Sequence, residues 1–439
     1  MAHQLPSSPP LSTGPDLPRL LSAFDEQSGR AASLGTHRRV YPPPPLPRRQ
    51  PAESYIAAVE RSGLRGRGGA GFPTGRKLRS VSEGQGRRVV VVNGSEGEPA
   101  SGKDNLLLTR APHLVLDGAL LAAAAVGGRE VFVGIERGRT GALRAVHHAI
   151  AERVHANERM VPVRVVELPA RYLSGEESAL VHLINGGEAK PTSTPPRPYQ
   201  RGVGGSPTLI DNVETLCHLA QIVEWGPEWF RTQGTVDEPG TLLLTLSGAV
   251  ARRGVCEIPI GMSLATILSS SRPNAGGISA VLLGGYYGTW LSAADARVAT
   301  MDSATLRRMG SGLGCGAVIA LPPNACGLSE TARVLTWLAG QTAGQCGPCV
   351  LGLAAIAGGM RELAAGTATL RTLESLHRWG DQVAGRGACS FPDGAVRLLR
   401  SALSVFNNDV ARHVSHGPCS AAAHPPLLPI PSQKDAPWR

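Results

Sequence analysis

Three groups of residues in this chain have types and spacings that could do chemistry. The first is Gly63–Lys77, a glycine-rich run interleaved with Arg65, Arg67, Arg76 and Lys77. Glycines let backbone N–H groups approach a ligand closely, and successive N–H groups facing one concavity make an anion nest. Cations beside such a nest raise its affinity for phosphate. A flexible linker would be rich in Gly and Ser and would lack Phe72-Pro-Thr and the basic residues. The run has no Gly-Lys-Ser/Thr ending, so it is not a Walker loop, and it does not follow directly on a strand as a Rossmann fingerprint does. The second group is two acidic loops, Asn93-Gly-Ser-Glu-Gly-Glu-Pro99 and Ser174-Gly-Glu-Glu-Ser178. Facing the glycine run, Glu96, Glu98, Glu176 and Glu177 suit ribityl or ribose hydroxyls of a large cofactor whose phosphate the run would hold. Taken singly, each pair reads equally as surface acids. The third group is Cys346-Gly-Pro-Cys349, with Cys389 forty residues on. Together the three point to a flavin feeding an iron–sulfur cluster.

Such groups need elements to position them. Glu53–Ser62 reads as helix, with Tyr55, Ile56 and Val59 on one face. Arg88–Val92 is a continuous β-branched run, the pattern of a buried parallel strand, and it leads straight into the first acidic loop. Open α/β sheets place ligands at such carboxyl ends. A helix over about 111–127, a strand Val131–Ile135, a helix over about 139–154 and a strand Val163–Glu167 follow, an alternation that implies a doubly wound α/β domain. The second acidic loop precedes a helix Ala179–Leu183, residues 186–208 read as irregular, and Asp211 or Asn212 is placed to cap the next helix. Thr241–Leu268 reads as a small β-grasp module and Thr331–Val410 as helical. Residues 1–50, with prolines at 42–45, read as an arm that is mostly extended or disordered, with a short helix possible at Leu17–Phe24. The expected division is therefore an arm (1–50), an α/β domain (51–238), a β-grasp domain (239–325), a helical domain (326–412) and a Pro-rich tail (413–439).

Composition narrows the partners. A chain of 439 residues exceeds one typical core, and with 4% aromatic residues its cores must be built from Leu, Val and Ala. The net charge of +10 comes from dispersed arginines rather than a basic face with interleaved aromatics, which argues against nucleic acid and for anionic cofactors or an acidic partner. The opening residues are not a secretory signal, and the most apolar run, Leu114–Gly128, is short for a membrane span and broken by Asp117. Eight scattered cysteines are no disulfide framework, so a cytosolic location is expected.

Gly66-Arg-Gly-Gly-Ala-Gly-Phe-Pro-Thr-Gly75, Ser174-Gly-Glu-Glu177, Asp211-Asn-Val-Glu-Thr215 and Cys346-Gly-Pro-Cys349 stand in one order that resembles the NADH-oxidising flavoprotein subunit of respiratory complex I. Relatives in formate dehydrogenases and hydrogenase diaphorases share it. The resemblance covers about residues 50–412. It implies FMN, NAD(P)H and a four-iron cluster on a Rossmann-like domain, a ubiquitin-like domain and a helical bundle, with electrons passing to a ferredoxin or a partner subunit. Carried over residue by residue, it places FMN against Gly66, Arg67, Gly68, Gly69, Lys77, Asn93, Glu96, Gly175, Glu176, Glu177, Asp211 and Asn212. Phe72, Glu98 and Glu177 match positions that surround NADH in the family, and the resemblance makes the two acids, Glu98 and Glu177, the catalytic candidates.

The chain also departs from that pattern. Ser95 replaces an aspartate and Asp211 the first of two asparagines, while Ser80 and Arg197 stand where aromatic residues are expected and Thr194 where a lysine is. Ala343 takes the place of the first motif cysteine. Loss of aromatic faces weakens stacking on the nicotinamide, and Arg197 could instead pair with a 2′-phosphate. A four-iron cluster takes four thiolates, and only Cys346, Cys349 and Cys389 match. Cys326 precedes a helix spanning roughly 22 Å, and Cys419 lies in the tail. Three-cysteine ligation with a fourth ligand from elsewhere is the leading expectation, ahead of a cluster-free relic or a redox dithiol. A scaffold subunit without activity is the competing functional reading.

Overall fold

Arg88–Gly94 (β1) carries four consecutive valines, and a strand apolar on both faces is stable only when both are covered. The computed structural model, which describes residues 17–23, 31–43, 52–271, 273, 276–431 and 437–439, covers it on both. With Gly128–Glu136 (β2), Val163–Leu168 (β3) and Thr208–Asn212 (β4), it forms a parallel sheet in the order β3-β2-β1-β4. Val90 and Val92 pack with Leu114, Val115 and Leu216, from the helices Pro112–Val126 and Val213–Arg231. Val89 and Val91 pack on the other face with Leu180 and Ile210. Those two helices cross so closely that a Cβ on Gly118 would stand 2.0 Å from the Leu216 carbonyl oxygen, so only glycine fits there.

The expected alternation is present, with three corrections. The irregular stretch expected over 186–208 gives way to a strand not expected from the sequence, β4, which starts at Thr208 and pairs along β1 with Asn93 opposite Asn212. The glycine run ends in a helix, Thr74–Ser82, so Lys77 sits on a helix whose Leu78 and Val81 are buried. The arm, finally, is not mostly extended where described. Arg19, Leu20 and Leu21 are buried, and their three N–H groups donate to Glu257 Oε2 at 2.9, 2.9 and 3.3 Å. Leu34–Val40 is a helix whose His37 bonds Asp117 at 2.7 Å. The short helix expected at Leu17–Phe24 is a single 3₁₀ turn, Leu21–Ala23; Phe24, Pro44 and Pro45 lie outside the described residues.

A second, five-stranded sheet follows: Thr241–Gly248 (β5), Gly254–Pro259 (β6), Ala280–Leu283 (β7), Thr289–Ser292 (β8) and Ala317–Leu321 (β9), in the order β6-β5-β9-β7-β8. The hairpin β5–β6, the helix Leu264–Ser270 and a last strand inserted parallel to the first make the arrangement expected of a β-grasp module. Beyond it, helices Gly327–Gly340, Ala354–Ala365, Leu370–Val383, Phe391–Val405 and Asn407–His416 pack around Leu335, Ile356, Met360, Leu376 and Leu399. Pro348–Ala365 is long and apolar enough to cross a membrane by length and composition alone, but Ile356, Met360 and Leu363 on it are bundle core. The Pro-rich tail is packed too: Leu427 and Leu428 N–H donate to the Glu330 carboxylate at 2.8 and 3.1 Å, and Tyr286 OH to the Pro429 carbonyl.

Candidate functional site

The sheet topology brings the carboxyl ends of β1 and β4 together, and the glycine run folds over them. Gly66 N–H donates to the Phe72 carbonyl at 2.8 Å and Thr74 N–H to Leu64 at 2.9 Å, which closes the run into a loop. Gly71 has φ +62°, and a Cβ there would meet nothing within 4 Å. At Gly68 a Cβ would make only an ordinary 3.6 Å contact with Asn212. The protein's own packing therefore does not require glycine at 68, and the loop is an open cradle that a side chain would fill.

Charged groups gather beside it. Lys77 Nζ donates to Glu177 Oε1 at 2.9 Å, to the Ile210 carbonyl, and to Asp211 Oδ1 at 3.4 Å. Burial alone would lower the Lys77 pKa, but Asp211 and Glu177 outweigh it and raise it, so the ammonium stays charged. Burial pushes the Asp211 carboxyl up against the pull of Lys77, and its Oδ2 is buried without a hydrogen-bond partner. Ser95 Oγ and Ser174 Oγ are buried and unpartnered as well. Asn93 Nδ2 donates to the Gly175 carbonyl at 2.8 Å, tying the two acidic loops together. An open glycine cradle, a held cation and unsatisfied polar atoms fit a phosphorylated, polyhydroxylated ligand such as FMN.

Not every expected residue turns to that cradle. The Arg67 guanidinium donates to the Thr241 and Pro239 carbonyls, both at 3.2 Å, and so clamps the loop to the second sheet. Glu96 accepts from Asp104 N at 3.1 Å, Asn105 N at 2.9 Å and Ser101 Oγ, capping the helix Lys103–Arg110. Glu176 caps its own helix, Glu177–Ile184, through Ser178 N and Ala179 N. Glu98 is 8% exposed and accepts from Tyr286 N at 2.7 Å, Ala100 N at 3.1 Å and Tyr172 OH at 3.1 Å. Burial pushes its pKa up to about 7 against those three bonds. Glu177 remains partly exposed beside Lys77, and Phe72 is half exposed at the cradle's rim. Asn212 is the N-cap residue of the helix Val213–Arg231 but makes no side-chain cap; its amide donates to Asp104 instead, at 3.1 Å to either oxygen.

Sequence reasoning missed the buried group that Asp104 belongs to. Lys103 Nζ lies 2.6 Å from Glu214 Oε2 and 3.3 Å from Asp104 Oδ1, all three residues being buried. Glu214 Oε1 also accepts from Leu243 N at 2.7 Å, so this charge group locks the floor of the cradle to β5. Burial raises Asp104 to about 6, while Lys103 holds Glu214 down at about 2 against its burial. The signal available was Lys103-Asp104 soon after the first acidic loop and Glu214 just beyond Asn212.

At the bundle end, Cys349 lies in a π-helical turn, Pro348–Leu353, a distortion that frequently marks functional sites. Burial pushes the Cys346 thiol up, but hydrogen bonds from Ala388 and Cys349 outweigh it and hold the thiol below its ordinary range. Burial and the neighbouring Cys346 and Cys389 raise Cys349 to about 12. Cys349 thus lies within electrostatic reach of both other thiols, and three thiolates would suit three of the four irons of a cluster. Ala343, packed on the bundle core, offers no fourth donor. Cys326 and Cys419, both weighed as substitutes, are placed elsewhere: with each other and with His413.

An open parallel sheet with a phosphate cradle at its carboxyl edge, joined through a second sheet to a cysteine-bearing bundle, defines a class of flavin-binding electron-transfer proteins. The pattern of the Nuo51 FMN-binding domain matches residues 59–221, and that of the NADH-ubiquinone oxidoreductase-F iron–sulfur binding region matches residues 329–413. An NADH-quinone oxidoreductase F-type subunit of Rhizobium meliloti is 33% identical over 84% of this chain and 90% of its own length. The HndC subunit of the NADP-reducing hydrogenase of Solidesulfovibrio fructosivorans is 28% identical over 86% and 79%. The crystal structure of an NAD+-reducing NiFe-hydrogenase in its H2-reduced state superimposes with a TM-score of 0.80 at 30% identity, covering 88% of this chain and 68% of that one. The chain belongs to the family of NADH-quinone oxidoreductase F-type subunits and their hydrogenase relatives.

Proposed function

We propose that this chain is an FMN-dependent NAD(P)H dehydrogenase subunit that passes electrons through an iron–sulfur cluster to a partner. The observation that carries the reading is the open glycine cradle set against Lys77, Asp211 and Asn93 at the carboxyl ends of β1 and β4. A bound flavin supplies the conversion of a two-electron oxidation into single-electron steps. The chain's own residues hold and orient. The backbone N–H groups of Gly68 and Gly69 and the Lys77 ammonium take the phosphate, those of Gly66 and Arg67 being held by the Phe72 carbonyl and Thr215 Oγ1, while Asn93, Gly175, Asp211 and Asn212 take the polyhydroxyl chain. Glu177, partly exposed beside Lys77, and Phe72 at the rim orient the nicotinamide nucleotide. Glu98, enclosed by Tyr172 and Tyr286, acts as a positioning residue for the wall between the two sheets.

In the same reading, residues 51–238 are the cofactor-binding unit, 239–325 the β-grasp unit and 326–412 the cluster-binding unit, with the arm and the tail packed back onto them. Cys346, Cys349 and Cys389 would hold three irons, with the fourth position open. The partner is a ferredoxin or another electron-transfer subunit, and the setting is cytoplasmic. Anaerobic reconstitution with FMN, read by absorbance, followed by stopped-flow reduction with NADH and NADPH, tests the proposal. Bound flavin reduced by either nucleotide is the expected result. Protein that stays folded but carries no flavin would overturn it in favour of a scaffold subunit.

A further inference from the structure

Three soft donors converge far from the cradle. Cys326 is the N-cap of the helix Gly327–Gly340, His413 lies in the helix Asn407–His416, and Cys419 opens the C-terminal tail. Their ligand atoms all lie within 4.8 Å of one another, and the residues are 4%, 0% and 8% exposed. His413 and Cys419 are six residues apart, but Cys326 comes from 87 residues before His413, so the fold itself brings two thiols and an imidazole into one buried place. We propose that this cluster is a structural site for one thiophilic d10 metal ion, Zn2+ or Cu+, that fastens the tail to the helical bundle.

The geometry supports the ligand set. Zinc–sulfur and zinc–nitrogen bonds of about 2.3 and 2.0 Å around a tetrahedral ion put two donors about 3.5 Å apart. Cys326 Sγ and His413 Nε2 are separated by 3.8 Å. His413 Nδ1 donates to the Leu363 carbonyl at 2.9 Å, which leaves the Nε2 lone pair facing the two thiols. A ligating histidine is commonly oriented by such a bond from its other nitrogen. Nε2 currently accepts from Cys419 N–H at 3.1 Å, so binding requires a small turn of that peptide. Ser329 N–H donates to Cys326 Sγ at 3.5 Å, which fixes the sulfur in place at the start of the helix. Binding would deprotonate both thiols, releasing two protons to solvent and forming two metal–sulfur bonds and one metal–nitrogen bond. Zinc would take water or another small donor as its fourth ligand, and Cu+ would remain three-coordinate. What the ion would hold is substantial: past Cys419 the tail reaches Glu330 and Tyr286, the latter bonded to Glu98.

Elemental analysis of the full chain, purified anaerobically from medium supplemented with zinc or copper, tests this directly. About one zinc or copper per chain is expected beside the iron. Cys326→Ser and Cys419→Ser should lose it, and the Cys346→Ser/Cys349→Ser double variant should keep it. Replacement by Co2+ should give thiolate-to-cobalt charge-transfer bands if the site is a tetrahedral zinc site; uptake of Cu+ with no cobalt bands assigns copper. Limited proteolysis should cut residues 417–431 faster in Cys419→Ser, a comparison that remains available if Cys326→Ser folds poorly. Folded wild-type protein free of both metals after incubation with each, or zinc that follows Cys346 and Cys349 instead, overturns the proposal.

Discussion

At the carboxyl edge of the parallel sheet the groups available to a ligand are mostly backbone; at the cysteine end of the bundle they are side chains alone. The cradle can change Ser95 and Asp211 and still present its N–H groups, because the loop is held by Gly66–Phe72, by Arg67 and by the buried Lys103–Glu214 pair. The cluster motif has no such reserve. One missing thiol at Ala343 removes one ligand outright, while the fold around it, including the π-helical turn at Cys349, is intact. The difference teaches that a site made of main chain degrades by degrees and a site made of donors degrades by whole units.

The sharpest way to break the comparison is to fill the cradle. Gly68→Val adds a side chain where the protein's own neighbours leave room, so the variant should fold with stability within about 0.5 kcal/mol of the parent. Its flavin content after reconstitution should fall below about a tenth, a loss of binding of at least about 1.4 kcal/mol. A variant that keeps full flavin would show that the ligand, if any, binds elsewhere.

Restoring the missing donor sharpens the other side. After anaerobic reconstitution and then exposure to air, the parent should fall to about three irons per chain or fewer, whereas Ala343→Cys should keep about four. If neither protein carries iron, the bundle is structural and electrons leave the flavin for an external carrier directly.

How much of this was legible in the sequence depended on range. The valine run of β1 and the alternation after it announced the parallel sheet, because local pattern suffices when both faces are buried. Strand β4 escaped because Gly- and Pro-rich chain runs up to Pro207, and its pairing to β1 is long-range. Lys103, Asp104 and Glu214 look like ordinary surface charges; only the fold shows them buried and paired across 110 residues. Glu96 and Glu98 look ligand-facing in the sequence, yet helix capping and the Tyr172–Tyr286 wall occupy them, contacts that no spacing rule encodes. Cys326 and Cys419 could be weighed one by one, but their meeting at His413 required the tail to fold back.

A smaller effect concerns the wall between the two sheets. Glu98 rises from an ordinary 4.5 to about 7 through burial, so the native state keeps a proton that the unfolded chain has lost. Its contribution to stability is therefore fully present below about 4.5 and is lost as pH rises through about 7, amounting to about 3 kcal/mol across that window. Glu98→Gln should flatten that part of the pH–stability profile measured by denaturant unfolding. An unchanged slope would assign the pH dependence to other buried acids such as Asp104.

The smallest expected effect tests whether the rim of the cradle has been retuned rather than merely weakened. Arg197 is exposed, and its N–H is held by Gln200 Oε1 at 3.0 Å. The segment it belongs to is tied at one side to Ser178, beside Glu177, through Thr192 N at 2.9 Å. On the other side the Pro198 carbonyl accepts from Thr208 N at 2.9 Å, at the start of β4. The guanidinium is thus carried by a loop anchored to both flanks of the sheet edge, and a planar fork of donors suits a 2′-phosphate. An exposed ion pair contributes about 0.2–1 kcal/mol, so Arg197→Ala should slow flavin reduction by NADPH about fivefold or less and leave NADH unchanged. The loss should shrink as salt rises, since screening acts on exposed charges first. Equal rates for the two nucleotides, unmoved by the substitution, would mean that Arg197 simply faces water and that the lost aromatic at this position has no replacement.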